Sequence, residues 1–158
     1  MTDPSELQRY LYEHIPLSAA MGVAVLQVTP DLVELGAPLD RNINHRQTVF
    51  GGSASAVAIL AAWSVVQVRL RAANLGCRLV IQRNTVDYDH PISGDFVAQA
   101  RLAHSEDWPA FVRLLQRRGR ARITVSATLL FEGRIAGRFS GEFVALAAGS
   151  AANVQALS

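Results

Sequence analysis

From Ser53 to about Ala73 the chain carries neither Gly nor Pro and is almost wholly apolar. Ala54, Ala56, Ala58, Ala61 and Ala62 raise the helix propensity of this run and keep its flanks thin, which predicts a long buried helix over 53–73 lying close against a sheet. Elsewhere the pattern is of period two. Ile123, Val125, Ala127, Leu129 and Phe131 point one way, while Arg122, Thr124, Ser126 and Thr128 point the other, as a strand with one covered face requires. Strand signals mark Arg78 to Tyr88, Asp95 to Ala103, Ala121 to Phe131 and Arg134 to Leu146, separated by Pro91-Ile92-Ser93-Gly94, by Trp108 to Arg118 and by Glu132-Gly133. Trp108 to Leu115 reads as a second short helix. Before the long helix, Met21 to Val28 and Leu32 to Ala37 read as a strand pair. Pro4 to Ile15 reads as an N-terminal helix capped by Asp3, with Leu7, Tyr10, Leu11 and His14 on one face and Pro16 ending it.

The order is helix, two strands, long helix, four strands. It predicts an α+β fold in which an antiparallel sheet of about six strands wraps around the central helix. At 158 residues the chain fits a single domain, set here at 1–148, because a domain of this size buries roughly 68 to 70 per cent of its unfolded surface. The stretch 149–158 is small and polar enough to fray as a flexible tail.

Composition narrows the function classes. Half of the residues are apolar and 18% are charged, an ordinary balance that leans oily and suits an oligomer interface. Every basic side chain other than His is Arg, yet the formal net charge is only +2, too weak to imply a nucleic-acid partner. The one cysteine, Cys77, excludes an internal disulfide framework and reads as a structural thiol. The acidic start Met1 to Glu6 lacks the basic-then-apolar order of a signal peptide, so the cytoplasm is the expected location. The apolar stretch Ala54 to Val68 falls short of the roughly 20 residues that span a bilayer, so no membrane span is expected. Four scattered His residues without HExxH spacing predict no metal site.

The candidate chemistry lies in the loop Asn42 to Ser53, which closes on Gly51-Gly52 directly before the long helix. A Gly pair lets backbone approach a ligand, Ser53 is placed to cap the helix, and the free amides of its first turn can receive a developing oxyanion. Asn42, Asn44 and Thr48 can position water or bind a carbonyl, although Asn also serves turns. His45 is the best-placed titratable group by sequence, since an imidazole titrates near neutrality. His90 and His104 read as surface residues. No Gly-x-Ser-x-Gly elbow supports a serine nucleophile.

Four segments carry a family resemblance: Ile15 to Val23, Asn42-Ile43-Asn44 with Thr48 to Ser53, Ala61-Ala62-Trp63-Ser64, and Asp87 to Asp95. Together they resemble the thioesterase domain found at the C-terminus of YiiD-type proteins, over about Leu7 to Val144. The resemblance implies a hotdog fold assembled as a homodimer or homotetramer, with acyl-thioester sites between the central helix of one chain and loops of its partner. Its implied substrate is a small-molecule acyl thioester of coenzyme A or of an acyl carrier protein. Coenzyme A is then part of the substrate, and no cofactor is expected.

In the best-described hotdog thioesterases a carboxylate of the central helix is base or nucleophile, whereas Ser53 to Ala73 holds no Asp or Glu. In the phenylacetate-type subgroup that acid falls seven residues after the second Gly, where this chain has Ile59. The sequence expectation is therefore water attack assisted by loop groups, with Asn42, Asn44, His45, Gly52 and Ser53 catalytic and Thr48, Phe50 and Gly51 binding substrate. Trp63 and Phe50 either pack helix on sheet or stack on adenine. Asp87 and Asp89 are expected beside the partner's loop, one of them as base or as a group that orients His45, with an Arg-paired strand-end carboxylate as the alternative. Arg117 and Arg118, in a cluster with Arg113, Arg120 and Arg122, are expected either to bind the phosphates of coenzyme A or to form a solvated edge. Three other functions share the fold expectation: a non-catalytic acyl-CoA sensor, a hydratase or dehydratase, and, least favoured by the charge balance, a nucleic-acid module.

Overall fold

The computed structural model describes residues 1–149. One antiparallel sheet of six strands, in the order β1-β2-β4-β5-β6-β3, wraps a single long helix, as the hotdog expectation requires. The strands are β1 (Ala24–Val28), β2 (Val33–Ala37), β3 (Cys77–Tyr88), β4 (Phe96–Leu102), β5 (Arg120–Phe131) and β6 (Arg134–Ala147). The helices are α1 (Pro4–His14), α2 (Pro16–Ala20), α3 (Gly51–Ala72) and α4 (Trp108–Arg118).

α3 is the core. Its Ala54, Ala58, Ala61 and Ala62 are buried together with Val57, Leu60, Val65, Val66, Val68 and Leu70. The small side chains let the helix axis sit close to the inward residues of the sheet: Val33 and Leu35 on β2, Ala98 and Ala100 on β4, Ile123, Val125 and Leu129 on β5, and Phe143 on β6. Leu7 and Leu11 of α1 close the same core, and Asp3 caps α1 by accepting the Ser5 N–H at 3.2 Å. α3 is long and apolar enough to cross a membrane by length and composition, but most of it is buried inside the sheet. Its charged residues, Arg69 and Arg71, stand in the last turn, where the helix dipole favours cations.

Several boundaries differ from the sequence reading. Pro16 opens α2 instead of simply ending α1, because proline's fixed φ and missing N–H suit the first helical position. β1 then begins at Ala24, after a turn in which Gly22 holds φ +68°. α3 starts at Gly51 rather than Ser53, with Phe50 at the cap position and no side chain capping it, so Ser53 is not the cap. A second short helix is present and extends to Arg118, stopped by Gly119 at φ 69°. Of the tail set at 149–158, Gly149 lies in a turn and the remainder lies outside the described residues. At one edge of the sheet, β3 offers a strand of 12 residues whose far side pairs with no other described strand.

Candidate active site

The loop before α3 is a small hairpin. Ile43 bridges Val49, and Phe50 donates its N–H to the Asn42 carbonyl at 2.7 Å. The hairpin base therefore coincides with the start of the helix, and its tip lies at 44–48. Val49 donates its N–H to the Ile92 carbonyl at 2.8 Å, which ties the hairpin to the segment after β3.

Asn42 anchors the hairpin through its side-chain amide. It is 2% exposed, and its Nδ2 donates to the carbonyls of Met21 at 2.9 Å and Pro38 at 2.7 Å, joining the hairpin to the α2–β1 turn. Its Oδ1 is buried without a partner among the described residues. Asn44 organises the tip. Its Oδ1 accepts the N–H groups of Arg46 at 2.8 Å and Thr48 at 3.2 Å, while its Nδ2 donates to Thr48 Oγ1 at 3.0 Å. These bonds occupy both side chains within the loop, as Asx turns do. His45 is exposed at this tip, away from the hairpin base.

Ala54 N–H closes the first helical bond on the Phe50 carbonyl at 3.1 Å, which leaves the amides of Gly51, Gly52 and Ser53 as the unpaired first-turn donors. A cavity of about 340 Å³ opens beside Gly51, lined by Val49, Gly51, Ala54, Pro91, Ile92, Leu129 and Ala136, and on its polar side by Tyr88, Asp89 and His90, with Gly52 and Ser53 next to it along the helix but outside its lining. Phe50 is 58% exposed, so it is a rim residue and not core. Its ring stands over Gly52, where an added Cβ would collide with it.

The polar wall of the cavity comes from the end of β3. Tyr88 donates its phenol to the Gly51 carbonyl at 3.2 Å, and Asp89 is paired with Arg138 of β6 at 2.8 Å. The N–H groups of Asp89 and His90 both donate to the Ala136 carbonyl, at 2.9 and 3.0 Å. His90, read from sequence as a surface residue, is exposed but lines this cavity. Asp87 is exposed one register position back and is not among the lining residues. The sequence signal that marks the segment is Pro91-Ile92-Ser93-Gly94, which closes β3 and stiffens the turn that presents His90.

Arg117 and Arg118 stand elsewhere in the chain. Arg118, Arg120 and Arg122 surround a separate hollow of about 410 Å³ floored by Leu114 and Ala121, and none of the three is ion-paired among the described residues. β5 carries this hollow at its start and Leu129 of the helix-start cavity near its end, which separates the two by roughly 30 Å at about 3.3 Å per strand residue. Trp63 and Ser64 serve packing: Trp63 Nε1 donates to the Leu79 carbonyl at 3.2 Å, and Ser64 Oγ donates to the Leu60 carbonyl at 2.7 Å. Burial pushes the Cys77 thiol up from its ordinary value, so it stays protonated near neutrality and is no ready nucleophile. Among the described residues, no group of three His, Cys, Asp or Glu side chains could hold a metal ion.

Comparison with known proteins bears on the same region. The sequence pattern of the family described as "Putative thioesterase (yiiD_Cterm)" matches residues 4–147. A protein of unknown function from Chlorobaculum tepidum TLS superposes with a TM-score of 0.85 at 28% identity, over 91% of this chain and 94% of that one. A "putative thioesterase" from Shewanella oneidensis gives a TM-score of 0.81 at 24% identity, over 90% and 96% of the two chains. A Pseudomonas aeruginosa protein described as a "Probable Thioesterase" gives 0.78 at 23%, over 93% and 98%, so the hotdog architecture is common to all.

Proposed function

The chain belongs to the YiiD C-terminal thioesterase family, and from that membership we propose that it hydrolyses acyl thioesters of coenzyme A or an acyl carrier protein at the cavity where α3 begins. The observation that carries the placement is the uncapped helix start opening into that cavity. The thioester carbonyl sits over the first turn of α3, and the amides of Gly52 and Ser53 receive its oxygen as the tetrahedral intermediate forms. Donors fixed in this way stabilise charge without having to reorganise during the reaction. Val49, Ala54, Ile92 and Leu129 supply an apolar wall for the first carbons of the acyl group and keep bulk water from the carbonyl. Phe50 at the rim packs against the thiol arm.

The chain works as a homodimer or homotetramer, with the long free edge of β3 as the surface for a second copy. The arginines at 117, 118, 120 and 122 bind the phosphates of the coenzyme A portion, reached from a neighbouring protomer's cavity.

A thiol-release screen of the full chain against coenzyme A esters of increasing acyl length tests the reading. Turnover on at least one ester supports it. Tight ester binding without release of thiol would instead make the protein an acyl-CoA sensor, a reading favoured by the absence of any Asp or Glu in α3.

A further inference from the structure

We propose that His90 is the general base of this site, taking a proton from the water that attacks a thioester carbonyl held over the start of α3. The proposal rests on the hydrolase reading above and supplies the group which that reading leaves unnamed. α3 contains no Asp or Glu, so the base must come from another element that reaches the cavity. Three titratable side chains line it: Tyr88, Asp89 and His90. Tyr88 is engaged with the Gly51 carbonyl and Asp89 with Arg138. The His90 imidazole has no hydrogen-bond or ion-pair partner among the described residues. Imidazole is the side-chain class most suited to accepting a proton near neutrality.

The backbone that carries the ring is held from both sides. The N–H groups of Asp89 and His90 converge on the Ala136 carbonyl, Pro91 follows directly, and the Ile92 carbonyl accepts the Val49 N–H. The backbone that carries the imidazole is thus fixed between β6 and the hairpin whose base starts α3. The charged and titratable groups around the ring are Tyr88, Asp89 and Arg138 on the cavity side, and Glu132 and Arg134 in the adjoining hollow of about 300 Å³ that His90 also lines.

As the water oxygen bonds to the carbonyl carbon, its proton passes to the imidazole and the carbonyl π pair moves onto oxygen, where the Gly52 and Ser53 amides meet it. When that pair returns, the carbon–sulfur bond breaks, and the departing thiolate takes the proton from the imidazolium. His90 is neutral again, with a carboxylic acid and a thiol as products.

The test is steady-state thiol release by the full chain on coenzyme A esters, comparing the parent with His90→Gln, His90→Ala and, as a control, His104→Gln, an exposed residue in the loop after β4. Loss of a general base costs about a hundredfold to ten-thousandfold. His90→Gln should therefore lower kcat by about a hundredfold or more with KM little changed, and should erase the acid limb that the parent shows as pH falls through the imidazole range. Added imidazole should restore part of the His90→Ala rate, and His104→Gln should keep the parental kcat and pH profile. Melting temperatures equal to the parent's locate the loss in chemistry. A His90→Gln variant that keeps the parental kcat and acid limb overturns the proposal and leaves the hydrolase reading standing. A parent that releases no thiol from any ester overturns both.

Discussion

The phenol of Tyr88 donates a hydrogen bond of 3.2 Å to the carbonyl of Gly51, fastening the last residue of β3 to the first residue of α3. Two segments 37 residues apart in sequence are thereby locked at one point. The helix contributes free amides there, and the strand contributes the turn that carries Asp89 and His90. The cavity exists because the sheet curls far enough around α3 to bring its edge strand to the helix start.

Gly137 is one condition for that approach. It pairs with Tyr88 across β3 and β6, and a Cβ there would lie 2.8 Å from the backbone oxygen of Asp87. Gly137→Ala must therefore push the end of β3 outward. Overpacking of this kind costs about 1 to 3 kcal/mol. Thermal melting should fall by roughly 2–4 °C per kcal/mol for a domain of this size. Turnover should fall with it, because Tyr88 and His90 move; a variant with the parental melting curve and kcat would remove the close approach from the account.

Asn44→Ala should act on the loop before it acts on chemistry. It removes the acceptor for Arg46 and Thr48 N–H and the donor to Thr48 Oγ1. The expected cost is about 1 to 3 kcal/mol, read as a lower melting temperature together with a lower rate. A large loss of kcat with an unchanged melting curve would return Asn44 to the group that handles substrate.

Arg117→Ala combined with Arg118→Ala tests the proposed phosphate contact. KM for coenzyme A esters should rise about tenfold, the size of a lost charge-assisted contact of roughly 1.5 kcal/mol, with kcat little changed. KM for the matching pantetheine esters, which lack the nucleotide, should stay at the parental value. An equal rise for both ester types would assign the arginines to stability.

Assembly is read from the free edge of β3 and from the exposed Phe50, Tyr88 and Ile135 near the helix start, which are 58%, 57% and 42% exposed. Light scattering at micromolar concentration should give a mass at twice or four times the 17.1 kDa chain. A strictly monomeric particle would contradict the proposed pairing of protomers.

The sequence showed most of the fold because its long elements carry strong periodic patterns. The acid-free Ala-rich helix, the alternation of Ile123 to Phe131 and the turn Glu132-Gly133 each have one structural solution. The boundaries it misread involve residues with two meanings. Pro16 both ends one helix and opens the next, and Gly51-Gly52 reads as a break although glycine is tolerated in a first turn. The site was half legible. Gly51, Gly52 and Ser53 are visible as a helix start, but the cavity's polar wall depends on the register of β3 against β6 and on the curl of the sheet, which are long-range properties. Asn42, Asn44 and His45 drew attention as polar loop residues; two of them spend their side chains on the loop, and the third stands at its tip.

If thioesters are cleaved at the first turn of α3, Gly52→Val should stop the reaction while leaving the fold in place. The Phe50 ring is exposed and can swing aside, so the fold should stand, while the added methyl groups cover the amides of Gly52 and Ser53. Loss of one oxyanion donor costs about a hundredfold to a thousandfold in kcat. Thiol release on the best coenzyme A ester should fall by at least that much, with the oligomer and melting temperature of the parent retained. A Gly52→Val protein that hydrolyses the same ester at the parental rate would contradict cleavage at this turn.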